Sequence, residues 1–303
     1  MIEARNIIKN YGPIRALDNF EMTVEKNAVH AIVGPNGSGK STFIKILSTA
    51  IRPDGGEVTI EGISISNVRE IRPMISVVPE LQSISDNRSP RALLEGAGKA
   101  AKLPREEIKY RTDVLAEILD IRKDMDKRVG ETSKGIKCRV ALGISLINDA
   151  SVILMDGSLA DLDPGFSVTF IGALKANRDK TVILTANNMN FIDKVCDSVT
   201  IIKDGAALMN ESITSIREKI GRQGILLRVS PINIQKVESV LRHQIYANRI
   251  TVGEDYLLVE VDDILHVPNV IRQASAFTEV YEARQMVTSL EDLYHKFVDS
   301  SVN

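Results

Sequence analysis

Residues 34–41 read GPNGSGKS, and this stretch decides the fold. It matches the pattern G-x-x-x-x-G-K-[ST] in full. Glycines let backbone N–H groups turn inward around an anion, and side chains at those positions would obstruct the turn. Lys40 supplies a positive charge to the β- and γ-phosphates of a nucleotide, and the Ser41 hydroxyl is a ligand for Mg²⁺. The residues predicted to hold the nucleotide here are Gly34, Pro35, Asn36, Gly37, Ser38, Gly39, Lys40, Ser41 and Thr42.

The flanks of this loop have the pattern that the motif requires. Val29–Val33 is a short apolar run that predicts a buried strand entering the loop. Thr42–Ala50 places its apolar residues on one helical face, and the positive end of that helix dipole adds to an anion site. The competing dinucleotide pattern G-x-G-x-x-G would need glycine at position 42, where the chain has threonine.

Further apolar runs place an acidic group near the loop. Ser151–Met155 and Thr181–Thr185 predict two more buried strands, with the helical segment Ser167–Ala176 between them. Strands that alternate with helices form an α/β core around a parallel sheet. Asp156 follows the first of these strands directly, where a Mg-nucleotide site needs a carboxylate. The alternative is an acidic residue that only caps the end of the strand.

The rest of the chain divides around this core. From about residue 86 to residue 150 the periodic segments are helical, which indicates an inserted helical subdomain. Asp204-Gly205, between two short apolar runs, predicts a hairpin turn. The charged stretch Ile216–Gly224 is predicted to link a first domain, residues 1–215, to a second, residues 225–303. The order βαββαβ plus a final helix predicts that the second is a small α+β domain of the ferredoxin-like type.

Composition argues against several classes of function. The 303 residues have a formal net charge of -2, 4% aromatic residues and no Trp, so no nucleic-acid partner is expected. Cys138 and Cys196 fit no metal spacing and are interpreted as small core residues of a reduced chain. The scattered histidines predict no metal site. The apolar runs are shorter than the roughly 20 residues of a bilayer span, and residues 1–5 lack the apolar core of a signal peptide.

With these features, about residues 1–215 resemble the ATP-binding subunit of an ABC transporter. Tyr11 precedes Ala16-Leu17-Asp18 in the way that the family's adenine-stacking aromatic precedes a strand, and a core aromatic is the alternative. Val78-Pro79-Glu80 is similar to the family's Q-loop. The resemblance implies that Glu80 senses Mg²⁺ and couples to the membrane subunit, and a plain turn residue is the alternative. Many exporter-type members carry glutamate at this position.

Residues 133–139, SKGIKCR, lie where the family has its signature sequence. Exporter-type relatives that read SKGMKQR have the same lysine in place of the first glycine. The resemblance implies that Ser133, Lys134 and Gly135 meet the γ-phosphate bound to a second subunit. The alternative is a plain helix N-cap at Thr132-Ser133, worth about 1 kcal/mol.

Two further segments are similar to family features. Leu159–Pro164, which reads LADLDP, resembles the D-loop that crosses the dimer interface. Ser289–Tyr294, which reads SLEDLY, resembles the ending of drug- and antibiotic-exporter ATPases, which carry an accessory domain of this size. A serine-capped amphipathic helix is the alternative for the second segment.

The chain departs from the family at the two positions that act in hydrolysis. The family normally has glutamate directly after the strand-end aspartate, and here that position is Gly157. The family's switch histidine aligns with Asn187, and no histidine lies between residues 31 and 242. Neither glycine nor asparagine can act as a general base or carry a positive charge at neutral pH. Asp161 is the nearby spare carboxylate, and it is not expected to replace the missing base.

The resemblance therefore implies a subunit that binds ATP and Mg²⁺, with Mg²⁺ held by Ser41, Asp156 and Glu80, and that hydrolyses ATP poorly at its own site. It also implies an exporter-type permease as membrane partner, a second ABC cassette in a homo- or heterodimer, and a cytoplasmic position at the inner face of the membrane. A non-transport regulator that uses ATP as a dimerisation switch is the main alternative. Soluble ABC proteins with tandem cassettes or long coiled coils fit less well, and so does a small-molecule kinase.

Overall fold

The computed structural model describes residues 1–157, 164–177, 179–220 and 223–286, together with residues 290, 291 and 294. The chain divides into two compact units, Met1–Ile213 and Thr214–Asn303. Among the described residues, no helix has both the length and the apolar character needed to cross a membrane.

The first unit contains ten strands and seven helices among its described residues. In chain order these are β1 (Ile2–Tyr11), β2 (Ile14–Val24), β3 (Val29–Val33), α1 (Lys40–Leu47), β4 (Gly55–Ile60), β5 (Ile63–Ser64), α2 (Val68–Ile71), β6 (Ile75–Val77), α3 (Pro90–Ala100), α4 (Arg105–Ile118), α5 (Lys134–Leu146), β7 (Val152–Met155), α6 (Pro164–Asn177), β8 (Thr181–Thr185), α7 (Met189–Val195), β9 (Ser198–Lys203) and β10 (Ala206–Ser212).

The predicted parallel sheet is present. Its order is β10-β9-β3-β8-β7-β6, and the strands from β9 to β6 pair in parallel, while β10 is an antiparallel edge strand. The turn between β9 and β10 has positive φ at Asp204 (49°) and Gly205 (81°), as a two-residue hairpin requires. Because β3, β7 and β8 are parallel neighbours, the segments that follow them lie at one edge of the sheet, which is where the site is built.

A second, antiparallel sheet with the order β2-β1-β4-β5 was not predicted. The pairing of β1 with β2 shifts register three times between Ala4 and Asn10, and Asn6 has a φ of 51°. Each irregularity moves the following side chains to the other face of the strand, so the period-two pattern that marks a strand is lost from the sequence.

Helix α1 packs between the two sheets. Phe43, Ile46 and Leu47 are fully buried, and the ring of Phe43 lies 4.6 Å from that of Phe20 on β2. Each such side chain contributes roughly 1.5–3 kcal/mol through burial of apolar surface. The apolar face of α1 therefore anchors the helix whose first residues belong to the phosphate loop.

The predicted helical insertion is formed by α3, α4 and α5. Ser89 caps α3 by accepting a hydrogen bond from Ala92 N at 3.2 Å. The Arg139 guanidinium donates to the carboxylate of Asp120 and lies 4.0 Å from the ring centroid of Phe166 at the start of α6. The contact between Arg139 and Phe166 joins the insertion to α6 of the α/β core.

The stretch predicted as the linker between the domains, residues 216–224, is mostly regular secondary structure, and its role as a linker stays a prediction. Helix α8 (Ile213–Ile220) occupies most of it, and the following strand already begins at Gln223. Ile213 and Ile216 are buried, at 4% and 2% exposure. The isoleucine spacing in IREKI is that of an amphipathic helix, and it outweighs the charges that indicated a linker.

The second unit has the order of a ferredoxin-like domain. After α8 come β11 (Gln223–Val229), α9 (Ile234–Arg242), β12 (Ala247–Val252), β13 (Tyr256–Val261), α10 (Val267–Ser275) and β14 (Val280–Met286). The sheet order is β12-β13-β11-β14, and all three pairings are antiparallel. Its core includes Leu227, Val237, Leu241, Val259 and Val270, so one sheet face packs on both helices. Most of the predicted last helix lies outside the described residues.

Candidate nucleotide-binding site

Two glycines of the phosphate loop are required by close contacts. A Cβ on Gly34 would lie 2.1 Å from the carbonyl oxygen of Ile202, and one on Gly39 would lie 2.5 Å from that of Ala16. Gly39 also has a φ of 108°, a conformation open to glycine. The loop is therefore pressed between β9 of the parallel sheet and β2 of the antiparallel sheet.

The hairpin after β9 supports the loop from the same side. Gly205 N donates to the carbonyl oxygen of Ser38 at 3.1 Å, and Asp18 N donates to the carbonyl oxygen of Gly205 at 3.0 Å. Both sheets thus fix the backbone of the loop, and a fixed backbone keeps its N–H groups aligned toward an anion.

Lys40 reaches across the loop. Its Nζ donates to the carbonyl oxygens of Gly34 (2.7 Å) and Pro35 (2.8 Å). Burial lowers the pKa of Lys40 from its usual value, and the negative charge of Asp156 opposes that shift. The ammonium group is therefore held half-buried inside the loop, where a phosphate would meet it.

The remaining loop side chains suit a phosphate and a metal ion. Ser38 Oγ is buried and has no hydrogen-bond partner among the described residues. Ser41 is exposed in the first turn of α1, the end at which a helix attracts anions. A buried hydroxyl without a partner and an exposed hydroxyl beside it are groups that a bound Mg-nucleotide can satisfy.

Asp156 follows β7 as predicted and is tied to β8. Thr185 Oγ1 donates to Asp156 Oδ1 at 2.8 Å and accepts from Gly157 N at 2.8 Å. Gly157 has a φ of 64°, and a Cβ on it would have no heavy atom within 4 Å. Position 157, where the family resemblance leads us to expect glutamate, thus has open space but a backbone that disfavours side chains.

Glu80 and Asp156 line one cavity of about 470 Å³. Glu80 is exposed, between β6 and the short 3-10 turn Leu81–Ser83. Lys134 and Lys137 from the start of α5 line the same cavity, together with Gly157. The Q-loop-like segment, the signature-like segment and the end of β7 therefore face a common space within this unit.

Tyr11 lies at the end of β1, and 46% of it is exposed. The Lys9 ammonium lies 6.0 Å from its ring centroid. The interpretation of Tyr11 as a core aromatic is therefore wrong, and its exposed ring remains a candidate for stacking on a base.

The signature-like segment begins helix α5. Ser133 Oγ accepts from Ile136 N at 3.3 Å, so Ser133 is an N-cap, and this does not exclude a second role. The atom nearest to a Cβ on Gly135 would be Ser133 Oγ at 3.8 Å, which leaves the approach to the helix end open. Lys137 Nζ pairs with Asp86 Oδ1 at 2.6 Å and fixes α5 against the segment that follows Glu80.

Asn187 is exposed in the loop between β8 and α7, beside Asn188, which caps α7 by accepting from Phe191 N at 3.0 Å. Of the D-loop-like segment, Leu159–Asp163, with Asp161, lies outside the described residues.

The donor set fits Mg²⁺ bound together with a nucleotide. Among the described residues, no group of three or more His, Cys, Asp or Glu side chains could hold a metal by itself. Mg²⁺ is typically bound by one or two protein oxygens, several waters and the phosphates of its substrate. One hydroxyl (Ser41) and one strand-end carboxylate (Asp156), with Glu80 across the cavity, match that chemistry.

Sequence reasoning missed Thr185, although it predicted the strand that ends there. The signal available was a polar residue that closes an apolar run, TVILT. Such a residue is ordinary at a strand end, and its link to Asp156 depends on β7 and β8 being neighbours.

The chain is similar to known proteins over most of its length. Residues 17–160 match the family model described as ABC transporter. The chain is 30% identical over 289 residues to the daunorubicin resistance ATP-binding protein DrrA2 of Streptomyces coeruleorubidus, covering 94% of this chain and 87% of that protein. It is 29% identical over 266 residues to the Nod factor export ATP-binding protein I of Rhizobium sp. (strain N33), covering 86% of each.

The fold is likewise that of solved ATP-binding cassettes. One is a dimeric cassette in a post-hydrolysis state, bound to ADP and Pi. It superimposes with a TM-score of 0.63 at 23% identity, covering 70% of this chain and 99% of that chain. With the sequence relatives, the intact phosphate loop and the two-sheet core built around it, the chain belongs to the ATP-binding subunits of ABC transporters.

Proposed function

We propose that this chain binds Mg-ATP and couples nucleotide-driven dimerisation to a separate exporter permease at the inner face of the cell membrane, with slow hydrolysis at its own site. One contrast carries the proposal. The phosphate loop, Lys40 and Asp156 retain the chemistry of binding, whereas positions 157 and 187 hold Gly and Asn, which cannot supply a general base or a positive charge.

The size of the expected defect follows from the missing groups. General-base assistance contributes typically about 10²–10⁴ in rate, or roughly 3–5 kcal/mol of barrier. The groups that hold the phosphates do not include Gly157 or Asn187, so binding does not depend on them. The chain is therefore proposed to bind ATP normally and to hydrolyse it slowly. The time for which the nucleotide stays bound would then set how long the dimer stays closed.

The transport part of the proposal is supported by the relatives. Their names refer to daunorubicin resistance and to Nod factor export, and the match to the first covers nearly the whole chain. The exposed Glu80 and the adjoining start of α5 are proposed to meet the permease, because they connect the site edge with the helical insertion.

The glycine at position 157 also favours one alternative function. A chain without a base at position 157 could serve as a non-transport regulator that dimerises when ATP binds. Purification of the native protein from membranes separates the two functions. A multi-span membrane protein that remains bound supports the exporter subunit, whereas a chain recovered without any membrane partner supports the regulator.

Nucleotide binding is tested at Lys40. Lys40→Ala removes the charge at the centre of the loop, so Mg-ATP affinity should fall at least about tenfold, which is about 1.4 kcal/mol. Isothermal titration calorimetry measures this. The matched control is Lys45→Ala, because Lys45 is an exposed lysine on the same helix. The Lys45→Ala variant should bind Mg-ATP with the affinity of the wild type. Equal affinities for Lys40→Ala and Lys45→Ala would contradict ATP binding in this loop.

A further inference from the structure

We infer that Thr185 is a positioning residue for the metal site, one whose hydroxyl sets the Mg²⁺ dependence of nucleotide binding through Asp156. The inference rests on the proposed function, because it requires that Asp156 faces the metal of a bound Mg-nucleotide.

The geometry joins three groups through one oxygen atom. Thr185 Oγ1 donates to Asp156 Oδ1 and accepts from Gly157 N, and both distances are 2.8 Å. Thr185 is 6% exposed, so water has little access to replace these bonds. The hydroxyl has a single proton, and donating it to the carboxylate leaves a lone pair for the amide of Gly157.

The local backbone makes this arrangement specific. Gly157 has a φ of 64°, and its N–H points back to β8 rather than along β7. Because β7 and β8 pair in parallel with Met155 opposite Leu184, the first residues beyond β7 lie beside the end of β8. One hydroxyl therefore holds both the carboxylate and the turn that follows it.

A carboxylate that is fixed in this way binds a metal better than a free one. Groups that hydrogen-bond a metal ligand orient it, and their loss typically weakens metal affinity by roughly 10–100-fold. Valine has nearly the shape of threonine without the hydroxyl. Thr185→Val would remove these two hydrogen bonds from Asp156 Oδ1 and Gly157 N and so loosen the orientation of the carboxylate.

The experiment measures nucleotide affinity with and without metal. A fluorescent ATP analogue is titrated into the full chain in Mg²⁺ and then in EDTA. The Kd in EDTA divided by the Kd in Mg²⁺ is the factor by which the metal increases nucleotide affinity. We expect Thr185→Val to lower this ratio about tenfold. Thr185→Ser keeps the hydroxyl and should restore it. If Thr185→Val fails to fold, Thr185→Ala, which fills less space and lacks the hydroxyl, takes its place.

The matched control lies on the same strand. Thr181 at the other end of β8 is 3% exposed, and its Oγ1 accepts from Asn27 N at 2.9 Å. Thr181→Val removes an equally buried hydroxyl away from the site and should leave the ratio unchanged. If Thr185 had a purely structural role, Thr185→Val would raise the Kd by the same factor in Mg²⁺ and in EDTA. The ratio would then equal that of the wild type.

The outcomes separate this inference from the function on which it rests. A wild-type chain that binds no nucleotide in either buffer overturns the proposed function, and the role of Thr185 with it. A wild-type ratio near one, or a Thr185→Val ratio equal to that of the wild type, overturns the role of Thr185 while ATP binding stands. A reduced ratio in Thr185→Val that Thr185→Ser restores supports it.

Discussion

At the scale of single residues, the site combines an intact phosphate loop with a glycine at position 157, where we propose that the catalytic base is lost. The loop glycines are fixed by contacts, since a Cβ at Gly34 would meet the Ile202 carbonyl at 2.1 Å. Gly157 is different, because a Cβ there would meet nothing within 4 Å and only its φ of 64° disfavours a side chain. A side chain at position 157 would therefore fit in space, and its cost would be backbone strain of roughly 1–2 kcal/mol.

Restoring one catalytic group should give little turnover. Gly157→Glu supplies a carboxylate, but Asn187 still cannot act as the switch residue, and residues that act as a unit are not additive. We expect Gly157→Glu with Asn187→His to hydrolyse ATP faster than either single variant in a steady-state phosphate-release assay. The control is Gly157→Gln with Asn187→His, which has the same backbone strain and no carboxylate, and it should stay slow. A single variant that matches the double variant would contradict this coupling.

At the scale of elements, β3 is attached to β9 by a buried histidine. His30 is fully buried, its Nδ1 lies 2.7 Å from Ser198 Oγ and its Nε2 lies 2.8 Å from Thr200 Oγ1. Asn210 Nδ2 donates to Thr200 Oγ1 at 2.6 Å and extends the network to β10. Burial lowers the pKa of His30 to about 3. The folded protein therefore keeps this ring neutral on the strand that enters the phosphate loop.

This neutral histidine predicts a loss of stability in mild acid. Between pH 6.5 and about 3 the unfolded chain binds a proton at His30 that the folded chain does not, so stability falls as the pH falls. The expected loss is about 1.4 kcal/mol per pH unit, or about 2 kcal/mol from pH 7 to pH 5. Urea unfolding at both values measures it. His30→Gln should remove this part of the pH dependence, whereas His243→Gln, at an exposed histidine, should retain it. Equal pH dependence in wild type and His30→Gln would refute the assignment.

At the scale of the whole molecule, the proposed loss of the base at position 157 favours a heteromeric working state. In this family two cassettes enclose two nucleotides, each between one phosphate loop and the other subunit's signature. A homodimer would have Gly157 and Asn187 in both sites. In a complex with a second, catalytically intact cassette, Ser133 and Gly135 of this chain would complete the site that hydrolyses.

This arrangement is tested in the native complex. Ser133→Ala should lower the ATPase rate of the complex although this chain lacks its own base. Loss of the N-cap also costs about 1 kcal/mol of stability, so the control is Ser89→Ala, which removes another serine N-cap in the helical insertion. We expect the Ser89→Ala complex to keep its rate. A complex that contains this cassette alone, or an unchanged rate in Ser133→Ala, would contradict the heteromeric state.

The sequence by itself determined the parallel sheet, the helical insertion and the order of the second unit. Each depends on local periodicity, and the runs VHAIV and TVILT became strands with the bounds that the pattern predicted. The phosphate loop could also be predicted from the sequence, because the residues that form it are consecutive. The loss of the base at position 157 stays a prediction from the sequence, because it depends on the single residue that follows Asp156.

Tertiary structure alone decided three features. The antiparallel sheet was hidden because the irregular pairing of β1 with β2, with extra residues in both strands, breaks the alternation that marks a strand. Helix α8 formed within the stretch predicted as a linker, with Ile213 and Ile216 buried. The Thr185–Asp156 bond joins residues that are 29 positions apart, and no local pattern contains it. Such a contact exists only once β7 and β8 pair, because parallel pairing brings the ends of distant strands to one edge of a sheet.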